Sequence, residues 1–309
     1  MKVTITGDLG SGKSTVAKHV SATTGFDYIS TGSIFRSLAK EAGMDVLEFN
    51  KLALTDKTID DKVDGKLKEY NNYNKDILID SRLAWYFIED AHNLYFEVDP
   101  MEAAKRIFND KIRTCEKEYT DILSAYNDLI NRKKTENTRY QDRYGIDCNS
   151  INNYDIIINT TSVSIDEICK TFINILKRLD KHEHVAKYWI PPTILYPTED
   201  IRILGCDDAI KLRNNILHSG YNNDYSIRCV KVDGHYYIWD GHKRCSAAII
   251  NKVSLIPVEV IAIDEQLIYD RHSARMFVEH NINKSRYYDW EDANSFLFNN
   301  YPTAKTYTE

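Results

Sequence analysis

Nine consecutive residues carry the clearest chemistry in this sequence. Gly7-Asp8-Leu9-Gly10-Ser11-Gly12-Lys13-Ser14-Thr15 fits the pattern G-x-x-x-x-G-K-[ST] at every position. Glycines at those places let backbone N–H groups curl around phosphate oxygens, and the helix that follows adds a field favourable to an anion. Lys13 is placed to reach the β- and γ-phosphates, and the Ser14 hydroxyl to ligate Mg²⁺. A chance glycine turn would lack the flanks found here, an apolar strand before the loop and a helix (Thr15–Ala22) after it. The loop therefore predicts ATP as co-substrate with Mg²⁺, and leaves the phosphoryl acceptor open.

Three further stretches bear on the acceptor. Ser30-Thr31-Gly32-Ser33-Ile34-Phe35-Arg36 follows a strand and puts Arg36 in the first turns of a helix. Asp80-Ser81-Arg82-Leu83 closes another apolar strand, at the end where ligands bind in parallel sheets. Arg132, Arg139 and Arg143 lie with Lys133 and Lys134 in a long polar helical stretch, Thr120–Arg143. Taken singly, each arginine is better explained as a solvated or salt-bridging surface residue. Taken together, they suit phosphoryl transfer between two phosphates, where polyanions must be held together while charge shifts.

These residues need a scaffold that delivers strand ends to one edge. Strands are expected at Lys2–Thr6, Asp27–Ser30, Asp76–Asp80, Asn93–Val98 and Asp155–Asn159, each followed by a helical stretch. Helix starts are marked by Asp45-Val46-Leu47-Glu48 and by Asp99-Pro100-Met101-Glu102, where an Asp N-cap precedes a Glu by three residues. The last helix, Ser164–Leu179, gathers Ile165, Ile168, Cys169, Phe172, Ile175, Leu176 and Leu179 on one face. Alternating strands and helices predict an α/β fold, a doubly wound parallel sheet.

The pattern stops at Asp180-Lys181-His182-Glu183-His184, and a domain boundary is expected within 180–192. His182 and His184 read as part of a solvated linker rather than a metal site. The 309 residues suit about two domains. The hydrophobic content of 43% and only 12 Gly and 6 Pro exclude a largely disordered or collagen-like chain. No apolar run is long enough to span a membrane, so no membrane partner is expected. The net charge of −6 disfavours nucleic acid, apart from a local patch around Lys243, Arg244 and Lys252. Six scattered cysteines, Cys115 and Cys148 among them, form no C-x-x-C pair and predict reduced thiols in a cytoplasm. Oligomeric state is not legible.

Residues 1–180 resemble the cytidylate kinase-like nucleoside monophosphate kinases, especially the short archaeal type. The resemblance rests on the phosphate loop and on Ser30-Thr31-Gly32-Ser33-Ile34-Phe35-Arg36 and Asp80-Ser81-Arg82-Leu83-Ala84-Trp85. It continues through Arg139-Tyr140, Tyr144-Gly145-Ile146-Asp147 and Tyr154-Asp155-Ile156-Ile157-Ile158-Asn159-Thr160. It implies that Arg36 and Arg82 bind an acceptor monophosphate such as CMP or dCMP. It also implies that Arg132 and Arg139 act from a mobile lid, and that Asp80 sits near Mg²⁺ and its waters. Two departures fall on the acceptor side: Ser33 stands where the family usually carries Asp, and Asp80-Ser81-Arg82 replaces its usual Glu-Gly-Arg.

The second half is built differently. Strands are expected at Ile201–Leu204, Ile227–Val232, Tyr236–Trp239 and Ile256–Ile263, helices at Asp207–Ser219 and His242–Asn251, and a hairpin turn at Asp233-Gly234. Asp240-Gly241-His242-Lys243-Arg244 runs from a strand into a helix. It is either a second anion site or a plain corner with surface cations. Residues 190–265 resemble a smaller α+β ParB-like/sulfiredoxin-like domain, with Ile256-Pro257-Val258 as the later strand, and 266–309 form a helical extension. The sulfiredoxin catalytic Cys position holds His242, and no clear helix-turn-helix follows for a chromosome-partitioning role. The ADP-dependent free-serine kinase branch is closer. There Pro197-Thr198-Glu199 matches Pro-x-Glu, and the resemblance implies Glu199 as general base, though Lys243 replaces the branch's second His. An unremarkable surface Glu explains Glu199 better.

Three readings follow. The first is an ATP-dependent phosphotransferase acting on a nucleoside monophosphate. The second is a separate small-molecule kinase activity in the ParB-like domain, and the third is a nucleotide-sensing role for that domain.

Overall fold

β1 (Lys2–Gly7) is buried from Val3 to Gly7, because its neighbours cover both faces. It is the centre of a sheet completed by β2 (Asp27–Ser30), β3 (Ile77–Asp80), β4 (Ala91–Glu97) and β5 (Ile156–Asn159). The order is β2-β3-β1-β4-β5, and every pairing is parallel. The computed structural model describes residues 1–44, 49, 52, 58–110, 119–200 and 206–302. The stretch Asp45-Val46-Leu47-Glu48, Cys115 and the strand expected at Ile201–Leu204 lie outside the described residues. The chain divides into two units, Met1–Val185 and Ala186–Glu309.

In the first unit, the helices are α1 (Lys13–Thr24), α2 (Thr31–Glu41), α3 (Thr58–Glu69), α4 (Ala84–Phe87), α5 (Pro100–Asn109), α6 (Ile122–Tyr144) and α7 (Ile165–Asp180). α1 packs against α7, α2 against α3, and α5 against α6. α7 buries Ile168, Cys169, Phe172, Ile175 and Leu176, the stripe expected from its 3.6-residue period. Each such burial removes enough apolar surface to stabilise the fold by about 1.5–3 kcal/mol. Asp99 caps α5 as expected, its carboxylate accepting from the backbone N–H groups of Met101 and Glu102. The reciprocal half of the capping box is absent. Glu102 turns along the helix to Arg106 (3.2 Å), and the Asp99 N–H donates to Thr161 Oγ1 instead. The carboxylate gains more from a cation one turn away than from a single amide.

Parallel register brings the carboxyl ends of β1 and β3 side by side, with Ile5 opposite Asp80. Gly7 then meets β4 so closely that an added Cβ would lie 2.4 Å from the Phe96 carbonyl oxygen. The sheet therefore dictates glycine where the phosphate loop begins.

The second unit contains β6 (Tyr188–Ile190), β7 (Leu195–Tyr196), α8 (Asp207–Ser219), β8 (Ile227–Val232), β9 (His235–Asp240), α9 (His242–Ile250) and β10 (Ile256–Ile263). The short strands β11 (Leu267–Ile268) and β12 (His272–Ser273) lead to α10 (Ala274–Asn281) and α11 (Lys284–Asn294). Its sheet runs β6-β10-β8-β9-β7 and is mixed, parallel at β10–β8 and β7–β9 and antiparallel elsewhere. Asp233 and Gly234 both have positive φ, which gives the two-residue hairpin its twist. The unit begins before residue 190, because β6 pairs with β10. The tail beyond 265 is not a separate extension. Phe298 stacks on Tyr196 of β7 (4.8 Å) and Trp290 packs edge-on to His242, so its aromatics complete the unit's core.

Candidate functional site

The phosphate loop spans the end of β1 and the start of α1. Gly12 caps α1 in the left-handed region (φ 80°), so the first N–H groups of the helix point into the loop. Ser11 closes the turn, its hydroxyl donating to the Asp8 carbonyl at 2.7 Å. Gly10 packs on α5, where a Cβ would lie 3.0 Å from Ala103. Arg106 of α5 reaches the Thr160 carbonyl (2.7 Å) and more loosely that of Gly10 (3.4 Å). Lys13 is half-buried at the loop's centre. Burial and the Arg82 guanidinium push its ammonium down to about 8, against the opposing pull of Asp80, Asp8 and Glu136. Three carboxylates oppose that push without cancelling it, so the ammonium keeps an unmet electrostatic demand that a phosphate would satisfy.

Ser14 donates to Asp80 Oδ2 at 2.5 Å, and the Tyr28 hydroxyl donates to the same oxygen at 3.0 Å. Asp80 is 7% exposed. A hydroxyl and a carboxylate converging beside the loop supply hard oxygen donors, the set that suits Mg²⁺ shared with phosphates.

Next to this pair opens a cavity of about 520 Å³. Its cations come from four elements: Lys13 and Lys18 from α1, Arg36 from α2, Arg82 after β3, and Arg139 and Arg143 from α6. The opposite wall is α3, with Val63 and Leu67 beside Asp60 and Asp64. The Thr31 hydroxyl, also in the lining, is buried with no hydrogen-bond partner among the described residues. Arg132 is not in this lining; it lies two turns before Arg139 on α6, nearer the helix's N-terminal half.

Several contacts escaped the sequence reading. Lys133, not Arg132, reaches the loop: its Nζ binds Asp8 Oδ1 at 2.7 Å. Arg82 donates through Nη1 to the Gly7 carbonyl (2.6 Å) and faces Glu136 Oε2 from Nε at 3.3 Å. Arg143 pairs with Asp61 (2.8 Å) and Asp60 (3.5 Å) of α3, and Tyr144 donates to Asp64 (2.6 Å). The available signal was spacing: 136, 139 and 143 recur at helical intervals and so share one face, but the same spacing favours Arg132 over Lys133 for the loop.

The profile of a family described as an AAA domain matches residues 6–123. The chain is 33% identical over 183 residues to the cytidylate kinase of Thermoplasma volcanium, covering 59% of this chain and 95% of that protein. It is 35% identical over 176 residues to the cytidylate kinase of Sulfurisphaera tokodaii, covering 55% and 92%. It is 32% identical over 177 residues to that of Methanobrevibacter smithii, covering 57% and 99%. The chain belongs to the cytidylate kinase family. The relatives account for the N-terminal 60% or so of the chain.

Within this cytidylate kinase unit, the departure at Ser33 has a structural role. Ser30 and Ser33 cap α2 reciprocally, each hydroxyl accepting from the other's backbone N–H at 3.1 Å. Ser33 thus fixes the start of the helix that carries Arg36.

The second unit has its own cavity, about 560 Å³, lined by Glu199, Asp208, Lys211, Leu212, Asn215 and the run Asp240–Arg244. Gly241 caps α9 with φ 108°, leaving the first N–H groups of that helix without a side-chain cap. His242 is buried, and burial pulls it down to about 4, so it is neutral. Its Nε2 accepts from the Thr198 N–H (3.1 Å), which leaves the proton on Nδ1, 3.5 Å from Glu199 Oε2. Arg286 holds this loop, donating to the Thr198 carbonyl (2.7 Å). Arg244 is not a free cation, since it binds Asp240 (2.8 Å) and the Ser226 carbonyl (2.7 Å) and braces the glycine turn. Lys243 faces Cys206, whose thiol is pulled below its ordinary value by the Ala209 N–H and then by Lys243. Cys245 is a core thiol, fully buried and donating to the Pro192 carbonyl.

Proposed function

We propose that this protein transfers the γ-phosphoryl group of ATP to CMP or dCMP. The observation that carries the reading is the convergence of Lys13, Arg36, Arg82 and Arg139 on one cavity beside the phosphate loop. Family membership supplies the donor and the acceptor class.

In this reading, the loop's N–H groups and Lys13 hold the β- and γ-phosphates, while Arg36 and Arg82 hold the acceptor phosphate in line with them. The acceptor oxygen attacks the γ-phosphorus as the bond to the β-phosphate bridging oxygen breaks. The acceptor oxygen is already ionised, so no general base is needed. Positioning and charge neutralisation do the catalytic work, with Arg139 arriving from α6. Ser14 and Asp80 would hold Mg²⁺, which when bound neutralises charge on the β- and γ-phosphates. Turnover of ATP against CMP, dCMP, UMP, AMP and free serine tests the assignment. Activity confined to cytidine nucleotides supports it, and activity with serine alone replaces it.

For the second unit, Ala186–Glu309, we infer a ParB-like/sulfiredoxin-like fold with an anion site at Gly241, His242 and Lys243. The support is the uncapped start of α9 opening on the cavity that Lys243 and Lys211 line. The Glu199–His242 pair at its rim favours a catalytic role over a purely sensing one, because it places a carboxylate on an imidazole of fixed tautomer. The reduced thiols at Cys148, Cys169, Cys229 and Cys245 are in keeping with a cytoplasmic location.

A further inference from the structure

The lid helix carries a carboxylate at a point where phosphoryl transfer calls only for cations. On the face of α6 that bears Arg139 and Arg143, Glu136 stands with Oε2 3.3 Å from Arg82 Nε. Arg82 is also tied through Nη1 to the Gly7 carbonyl at 2.6 Å, so two sides of its fork are occupied by oxygens of the protein itself. Carboxylate and phosphate are the two groups that match a guanidinium fork, and they compete for it. The pair is only partly sheltered, with side chains 27% and 30% exposed, so it holds weakly and is readily exchanged. Glu136 also lies close enough to Lys13 to act on its charge. One turn of the same helix carries Lys133, bound to Asp8 of the phosphate loop at 2.7 Å.

We propose that Glu136 is a resident competitor for the acceptor phosphate. In the unliganded protein it satisfies Arg82; when an acceptor phosphate docks, like charges cannot share the guanidinium, and Glu136 leaves. Because Lys133 rides on the same turn, that departure shifts the lid helix relative to the phosphate loop, so acceptor docking and the lid's grip on Asp8 are linked. The proposal rests on the reading of this cavity as the acceptor site. Glu136 acts through Arg82 and is a positioning residue.

The test is Glu136→Gln in the full chain, which keeps shape and hydrogen bonding and removes the charge. With ATP and CMP, the CMP KM should fall by about fivefold, the scale of a partly exposed ion pair, while the ATP KM stays put. Glu136→Asp should return most of the wild-type KM. A merely structural ion pair predicts an unchanged or raised CMP KM in Glu136→Gln, and that result overturns the proposal. A second arm measures inorganic phosphate binding by calorimetry with the loop filled by a non-hydrolysable ATP analogue. Tighter binding in Glu136→Gln supports competition, and equal or weaker binding overturns it. If wild-type protein turns over no CMP, the acceptor assignment falls while the phosphate arm still decides the role of Glu136.

Discussion

Ser14 Oγ lies 2.5 Å from Asp80 Oδ2, joining the first turn of α1 to the end of β3. The contact couples the donor loop to the strand that delivers Arg82 two residues later. Asp80→Asn keeps the shape and removes the charge. It should raise the Mg²⁺ concentration needed for half-maximal turnover by about tenfold or more, with the fold intact. An unchanged Mg²⁺ dependence would take Asp80 out of the metal site.

Lys13→Ala should lower kcat by about a hundred- to a thousandfold, the cost of about 2.7–4 kcal/mol expected for losing one preorganised charge in the transition state. Circular dichroism should match wild type. Near wild-type turnover in a folded variant would rule out the phosphate-loop mechanism.

Arg36→Ala should raise the acceptor KM and lower kcat with ATP binding unchanged, at a cost of about 1.5–3 kcal/mol. Arg82→Ala should do the same and also weaken ATP binding modestly, because Arg82 braces the Gly7 carbonyl at the base of the loop. Equal effects of both variants on ATP affinity would place Arg36 on the donor side.

ATP affinity should depend on pH through Lys13. Below about 8 the unliganded lysine is already charged and binding takes up no proton. Above that value it is neutral, and binding must draw a proton, so Kd should weaken by up to about tenfold per pH unit. The same depression means that stability without nucleotide should rise from about pH 8 towards 10.5, since the unfolded chain keeps that proton longer. Calorimetric titrations between pH 7.5 and 10 check this, and Lys13→Met should flatten the profile.

His242 should titrate with a midpoint near 4, well under its ordinary 6.5. Between those values the unfolded chain binds the proton and the folded chain does not. Its contribution, about 3 kcal/mol, is therefore complete above pH 6.5 and lost as pH falls towards 4. The imidazole C–H resonance, assigned by its disappearance in His242→Gln, reports the midpoint. Titration near 6.5 would mean that Thr198 and the core do not enclose the ring as described.

What the sequence determined by itself is local. The nine loop residues are contiguous, and glycine φ preferences with a helix start create a phosphate cradle wherever a strand precedes it. The apolar strands and the α7 stripe carry periods that only one kind of element satisfies. What tertiary structure decided is pairing at a distance. Lys133 meets Asp8 across 125 positions, and the Asp99 N–H finds Thr161 rather than Glu102. Whether Arg132 or Lys133 faces the loop turns on one residue, about 100° of helix rotation, and that angle is set by how α6 docks on α5. Residue type told that Arg82 and Arg244 were cations. Only the packed chain gave each a distant oxygen partner, the Glu136 carboxylate for one and the Ser226 carbonyl for the other. An ion pair costs little to rearrange, so its partners follow the packing of the apolar core and leave no period in the sequence.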